Sequence, residues 1–321
     1  HVAITVYALV AESYLGPAES AFCARDACGN AGDRPSRSSG RDMTWNSAPS
    51  NFLLAGMTVS VAFLLVPSLS ITLQIIGLGI AVALLGLPHG AIDAYIARQD
   101  GLWRSTRGFA AFVGIYALVA IGVIGVWMLM PTFSLLAFLI ISAWHFGADA
   151  NARDQAERWL FGGLILSLPS FFHPADVASL FEAISGASAG SLVPILQVWA
   201  PVAAIGVFAM IVRRRPPAQQ RWADIATVAG LVLFAWALPP LVYFVVYFCA
   251  LHSPTHFGRV IRLVPPSDRS RAAAYTAGFT VVTLLVAGLA LIALTDKLTI
   301  QQSTLQIVFI GLAALTVPHM F

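Results

Sequence analysis

The segment GFAAFVGIYALVAIGVIGVWMLM, residues 108–130, contains no charged side chain. An α-helix rises about 1.5 Å per residue, so a run of about 20 apolar residues can cross the hydrocarbon core of a bilayer. The 321-residue chain is 58% hydrophobic and 10% charged, whereas soluble domains carry about 25% charged residues. The sequence therefore predicts an all-α, polytopic transmembrane helical bundle in the lipid bilayer of the cell (inner) membrane.

Similar apolar segments recur from about residue 50 to the end of the chain. Their approximate bounds are 51–67, 71–97, 108–130, 132–150, 158–172, 190–212, 222–238, 240–262, 272–295 and 303–321. We expect about ten segments, of which eight to ten span the membrane. The segments at 158–172 and 222–238 are short enough to be tilted or only partly embedded.

Residues 1–48 differ in composition from the rest of the chain. They include CGNAGDRPSRSSGRD, residues 28–42, which is rich in Gly, Ser, Arg and Asp and has no helical periodicity. We expect 1–48 to be a disordered or non-native N-terminal extension. Cys23 and Cys28 are spaced too widely for a CxxC redox motif, so we expect them to have a structural or incidental role.

The basic residues alternate along the chain. Apart from Lys297 and the arginines before the first segment, all Lys and Arg residues lie in every second connection. Because such residues concentrate in cytoplasmic connections, this pattern predicts a cytoplasmic N-terminus. The net charge of +3 is small and dispersed, which argues against a nucleic-acid partner.

Five of the seven histidines lie near the ends of segments that run from outside to inside. They are His89, His145, His252, His256 and His319. All five are therefore predicted to reach the cytoplasmic side at similar depth. The other two, His1 and His173, lie in the N-terminal extension and in an external loop, where we expect no chemical role.

These histidines are candidate metal ligands. An ionisable side chain within a membrane helix is costly unless it faces the interior and finds a partner, and neutral imidazole binds Fe, Zn, Cu or Ni well. His252 and His256 are four residues apart in LHSPTH, so both lie on one helix face and can bind one ion. We predict a metal site near the cytoplasmic side, formed by His89, His145, His252 and His256, with His319 as a member or close neighbour.

Asp93 and Asp149 each follow a histidine by four residues. They could orient imidazoles, bind the metal directly, or pair with arginines at the rim of the site, namely Arg98, Arg153 or Arg259. We favour an orienting, catalytic or rim role over direct metal binding.

Prolines accompany three of the histidine motifs, at Pro88, Pro254 and Pro318. A proline inside a helix releases the carbonyl four residues earlier. We expect such carbonyls, those of Leu84, Ala250 and Ala314, to accept the second N–H of a metal-bound imidazole.

The number of histidines limits the kind of site. Four or five imidazoles satisfy one metal ion and leave positions open for O₂ or substrate, but they are too few for a di-metal site of the kind used by membrane desaturases and hydroxylases. A b-type haem would need histidines on facing helices on either side of the porphyrin, and an HxxxH pair on one helix is poor geometry for that. A transporter would place its site near the midplane with broken helices.

Four motifs together resemble the Brp/Blh family of bacterial and archaeal β-carotene 15,15′-dioxygenases. They are GLPHGAID (86–93), WHFGAD (144–149), YFCALHSPTHFGR (247–259) and VPHM (317–320). The resemblance covers about residues 50–321 and implies a single integral-membrane catalytic domain over 49–321. It further implies a non-haem Fe(II) enzyme that cleaves the central double bond of β-carotene with O₂, giving two molecules of all-trans-retinal. The family's iron ligands correspond to His89, His145, His252 and His256.

Aromatic residues flank these motifs and are candidate walls of a substrate pocket, although packing between helices is an equal alternative for each. They are Trp144, Phe146, Tyr247, Phe248 and Phe257. In organisms that carry this family, retinal usually goes to a rhodopsin, which is the expected functional partner. The alternatives are a metal or proton transporter and a histidine-box oxidase that acts on another membrane lipid.

Overall fold

The computed structural model describes residues 47–65, 69–150, 152–214 and 217–320. The predictions for 1–42, including Cys23 and Cys28, concern residues outside these ranges. Every regular element within them is helical. The α-helices are α1 (Ser47–Leu65), α2 (Ile71–Ala81), α3 (Leu87–Ala91), α4 (Asp93–Gln99), α5 (Thr106–Leu129), α6 (Pro131–Phe146), α7 (Gln155–Phe172), α8 (Pro174–Ser185), α9 (Val193–Arg214), α10 (Ala218–Ala237), α11 (Pro240–Tyr247), α12 (Ser253–Leu263), α13 (Arg269–Thr295) and α14 (Ile300–His319).

Short stretches of other helix types join some of these elements. Two are π turns, Val82–Gly86 between α2 and α3 and Phe248–His252 between α11 and α12. Three are 3₁₀ turns, Gly147–Ala150, Ala187–Leu192 and Pro266–Asp268.

Six helical stretches in the described ranges are long and apolar enough to cross a membrane. They are Ile71–Gln99, Thr106–Leu129, Pro131–Ala150, Ala187–Arg214, Pro266–Thr295 and Ile300–His319. The bent pair of α7 and α8 raises the number to seven if it forms one span. The expected eight to ten spans are therefore not confirmed. The described residues of each predicted segment are mostly helical. However, 222–237 belongs to a helix that carries Arg221 and Asp224, and 240–262 includes Arg259 and Arg262.

The sequence analysis did not anticipate α8. Helix α7 ends at Phe172, and the chain turns by 109° into α8. His173 lies at this corner with φ −131° and ψ 56°, outside the helical region. A residue before proline avoids the α conformation, and Pro174 favours the first position of a new helix. The predicted external loop thus contains a helix.

The two π turns occupy equivalent places before prolines. Each ends two residues before its proline, Pro88 in one case and Pro254 in the other. Because a proline lacks an N–H and its ring clashes with the carbonyl four residues earlier, a wider π turn relieves the crowding. The closing bonds are equivalent too: Leu87 N–H donates to Val82 O, and Ser253 N–H donates to Phe248 O.

The π turns also pack against each other. Ser253 Oγ donates to the Leu85 carbonyl at 2.5 Å, and Cys249 Sγ lies 3.5 Å from the Ala81 carbonyl. A Cβ at Gly86 would overlap the Phe248 ring, so glycine permits this approach. This contact places the histidine that follows the first turn beside the histidine that ends the second.

Close packing of α7 against the end of α6 fixes the position of His145. A Cβ at Gly162 would overlap the Ala143 carbonyl, and a Cβ at Gly147 would overlap the Arg158 backbone. Small residues let helix backbones approach this closely. Arg158 Nε then donates to the Trp144 carbonyl at 2.7 Å, which satisfies one of the free carbonyls at the end of α6.

Candidate metal centre

Five histidine rings converge where α3, α6, α12 and α14 meet. The ring centroid of His89 lies 5.4 Å from those of His252 and His256, and 5.5 Å from that of His319. The ring centroid of His145 lies 4.9 Å from that of His252 and 5.4 Å from that of His319. Segments distant along the chain thus bring together all the histidines that the sequence analysis singled out as ligands or neighbours.

Three of these histidines come close to the spacing that the ligands of a single ion require. One ring nitrogen each of His89, His145 and His252 can be chosen so that all three atoms lie within 4.8 Å of one another. An imidazole nitrogen binds a first-row metal at about 2 Å, so two ligands of one ion lie at most about 4 Å apart. A small inward shift of the rings would therefore bring all three nitrogens onto one ion. The rings of His256 and His319 lie beside this group, with centroids 5.0 Å apart.

Three histidines have their Nδ1 atom next to an oxygen acceptor. His252 Nδ1 lies 2.9 Å from Asp149 Oδ2, His319 Nδ1 lies 2.7 Å from Asp93 Oδ2, and His89 Nδ1 contacts the Gly86 carbonyl. An acceptor at Nδ1 holds the proton there and leaves the Nε2 lone pair available to a metal. This is the hydrogen-bond pattern of metal-bound histidines.

The prediction of which carbonyl oxygens accept hydrogen bonds from these imidazoles was wrong. The Nδ1 atoms of His89, His252 and His319 contact other oxygens than the carbonyls of Leu84, Ala250 and Ala314. The π turns rearrange the backbone before Pro88 and Pro254, so that the acceptor for His89 comes from the end of its own π turn. The other two rings reach carboxylates on different segments.

Asp93 and Asp149 each contact a histidine, but not the one that precedes it in sequence. Asp149 is 103 residues from its partner His252, and Asp93 is 226 residues from His319. Of the arginines considered for the rim, Arg98 donates to the Tyr275 hydroxyl and Arg259 to the Ala148 carbonyl, both at 3.2 Å. The carboxylates therefore lie where they can orient imidazoles.

Two imidazole nitrogens in this group are buried without a hydrogen-bond partner, His252 Nε2 and His256 Nδ1. A buried polar atom that lacks a partner costs about 1–3 kcal/mol. A metal ion at the centre of the group would satisfy these atoms. Neutral imidazoles are suitable ligands for divalent first-row metals, so the residues present fit a bound metal ion.

Three of the five aromatic candidates border the histidines. The ring centroid of Phe146 lies 4.7 Å from that of His252, and Phe248 stacks on His252 at 5.5 Å. Tyr247 is 1% exposed, and its hydroxyl donates to Asp149 Oδ2 at 2.8 Å. The sequence analysis missed this contact, because nothing in the sequence links two residues that are 98 positions apart.

The other two aromatic candidates, Trp144 and Phe257, pack elsewhere. Trp144 Nε1 donates to Gln155 at 3.0 Å, and the Arg158 guanidinium lies 3.4 Å above the indole ring. Phe257 packs against a separate apolar cluster that includes Ile92 and Tyr95. His173 also lies apart from the group, with Nε2 3.1 Å from the Trp236 carbonyl.

Comparisons with known proteins point to one family. A family model described as "Beta-carotene 15,15'-dioxygenase" matches residues 80–321. A protein of that name from uncultured marine bacterium 66A03 is 34% identical over 249 residues, covering 74% of this chain and 89% of the relative. "Probable beta-carotene 15,15'-dioxygenase Blh" from Halobacterium salinarum is 28% identical over 289 residues, covering 78% of this chain and 84% of the relative.

No solved structure matches the chain. The family match nevertheless extends over all four histidine motifs and well beyond half of the sequence. Because one relative is also more than 30% identical along most of that relative's length, the chain belongs to the β-carotene 15,15′-dioxygenase family.

Proposed function

We propose that the chain cleaves the central 15,15′ double bond of β-carotene with O₂ at an iron ion held by the histidine group. The reaction adds one oxygen atom to each carbon of that bond, so that one C40 carotenoid and one O₂ give two molecules of all-trans-retinal. The convergence of His89, His145 and His252 within 4.8 Å is the observation that carries this proposal. The names of the two relatives supply the substrate.

The proposed ligands are His89, His145 and His252, with His256 completing the set and His319 as a fifth candidate. The buried, unpaired nitrogens of His252 and His256 support this assignment. Bound Fe(II) would supply the electrons that activate O₂. The proposed ligand set contains only imidazoles, because both carboxylates contact imidazole Nδ1 atoms.

The protein's own residues prepare the site in two ways. Asp149 and Asp93 orient His252 and His319 and keep the proton on Nδ1, which presents Nε2 to the metal. Phe146 and Phe248 lie against His252 and are 5% and 4% exposed. Apolar rings at this position exclude water, which prevents side reactions.

The membrane setting belongs to the same proposal. A carotenoid dissolves in the bilayer, and several helices of the chain are apolar enough to lie there with it. The arginine pattern supports a cytoplasmic N-terminus and a metal centre near the cytoplasmic face of the inner membrane. Retinal released at that point would be available to a rhodopsin in the same membrane.

Expression of the chain in a bacterium that accumulates β-carotene tests the function. We expect the cells to lose their orange colour and to contain retinal, identified by chromatography. His145→Ala removes one proposed ligand and should leave the colour unchanged. His173→Ala is the matched control, because this histidine lies outside the group, and it should bleach the cells like the wild type.

Unchanged colour in cells that contain inserted, iron-loaded wild-type protein would contradict the proposal. Equal bleaching by His145→Ala and the wild type would contradict the assigned site. Release of a product other than retinal would identify a different cleavage position or a different lipid substrate.

A further inference from the structure

A cavity of about 330 Å³ lies between α5, α6 and α14. Its lining is almost wholly apolar and includes Val119, Val123 and Phe138. Ile141, in the same lining, precedes His145 by one helical turn, and Val317 precedes His319 by two residues. One end of the cavity therefore lies about one helical turn from the histidine group.

The other end carries two polar atoms without partners. Trp127 Nε1 and Ser134 Oγ are both buried and unpaired, and both residues line this cavity. Trp127 is 2% exposed and Ser134 is 7% exposed. The two lie on either side of the turn between α5 and α6. Because buried polar atoms normally have a partner, this pair indicates a ligand that brings an oxygen atom to this end.

The distance from the polar pair to the histidine group matches a specific ligand length. Ser134 and His145 lie on the uninterrupted helix α6, and eleven residues of helix correspond to about 16 Å. An extended C40 carotenoid has a similar length from its central double bond to its terminal ring. The cavity volume is also within the range of about 300–1,000 Å³ found for small-molecule sites.

We propose that this cavity binds one half of the carotenoid, with its terminal ring beside Trp127 and Ser134, and that these two residues accommodate a hydroxyl group on that ring. The inference rests on the proposed function, since it takes the histidine group as the position of the central double bond. It makes Trp127 and Ser134 determinants of specificity for a ring-hydroxylated carotenoid.

Two glycines on α5 provide a matched test of the cavity. Gly122 lines it and Gly125 does not, and a Cβ at either position meets no atom within 4 Å. Gly122→Leu should fill the cavity and lower both the β-carotene retained by the purified full-length protein and kcat/KM for retinal formation by about tenfold or more. Gly125→Leu should change both by no more than about twofold.

Iron content is measured in both variants to show that the metal centre is intact. Equal behaviour of Gly122→Leu and Gly125→Leu would overturn the cavity assignment while leaving the proposed function in place. The wild type could form no retinal, while Gly122→Leu alone retained less β-carotene than the wild type. The cavity would then stand as the carotenoid site, and the proposed reaction would fail.

The polar pair is tested by comparing β-cryptoxanthin, which carries one ring hydroxyl, with β-carotene. Ser134→Ala should lower the ratio of kcat/KM for β-cryptoxanthin to kcat/KM for β-carotene by about three- to tenfold, the effect of one lost hydrogen bond. Ser170→Ala is the control, because the Ser170 hydroxyl is also buried and unpaired but lies outside the cavity lining. An unchanged ratio in Ser134→Ala, or an equal change in Ser170→Ala, would overturn the assigned role of Ser134.

Discussion

The two carboxylate–histidine pairs of the candidate metal centre differ in how firmly they are held. In the Asp149–His252 pair the side chains are 3% and 2% exposed, and Tyr247 makes a further hydrogen bond to Asp149. In the Asp93–His319 pair they are 23% and 7% exposed. His252 also ends a π turn that packs against a second π turn, whereas His319 is the last residue of α14.

This difference indicates which half of the site is preorganised. A hydrogen bond to a carboxylate is stronger in a buried, low-dielectric environment than at a wet surface. The Asp149–His252 pair should therefore hold its imidazole rigidly before the metal binds. The Asp93–His319 pair is more accessible, so we expect it to tolerate change better. The predictions below compare the two pairs directly.

The largest difference should appear when the imidazoles themselves are removed. His252→Ala should lower iron affinity by more than the roughly 10–100-fold typical of losing an outer partner, and retinal formation should fall with it. His319→Ala should stay within that range. Iron per protein, measured by mass spectrometry after competition with a chelator, checks both. A larger loss in His319→Ala would reverse the proposed order.

The carboxylates should show the same order with smaller effects. Asp149→Asn keeps the shape of the side chain but removes the charge that orients His252, so we expect iron affinity to fall by about 100-fold. Asp93→Asn should lower it by about tenfold, at the other end of the range for such partners. The same chelator competition measures both. Equal losses would show that burial does not distinguish the pairs.

The smallest effect should come from the Tyr247 hydroxyl. Tyr247→Phe removes one hydrogen bond to Asp149 and should lower iron affinity by about three- to tenfold. Tyr243→Phe is the control, because that buried hydroxyl donates to the Ile165 carbonyl at 3.1 Å. It should lower the unfolding temperature without changing iron affinity. An unchanged affinity in Tyr247→Phe would remove Tyr247 from the account of this pair.

The helical class and the histidine set could be predicted from the sequence because both leave local signals. Long apolar runs identify helices that can lie in a membrane, and ionisable residues stand out within them. The number of spans could not be obtained in this way. The segment that contains His252 and His256 includes two arginines and a π turn, and it is not among the six long apolar stretches of the described residues.

The hydrogen-bond partners could not be predicted either, because they depend on tertiary packing. Asp149 reaches a histidine 103 residues away, and Asp93 reaches one 226 residues away. The spacing of four residues between His89 and Asp93 does not indicate which histidine Asp93 contacts. The π turns have a local cause in Pro88 and Pro254, but a proline alone does not show whether a helix kinks, ends or widens.

X-ray absorption at the iron edge of the purified, Fe(II)-loaded protein tests the shared metal site most directly. We predict iron bound by at least three imidazole nitrogens, in keeping with the group formed by His89, His145 and His252, and one fewer imidazole in His252→Ala. Iron surrounded by oxygen ligands, with the same spectrum in the wild type and in His252→Ala, would contradict the account.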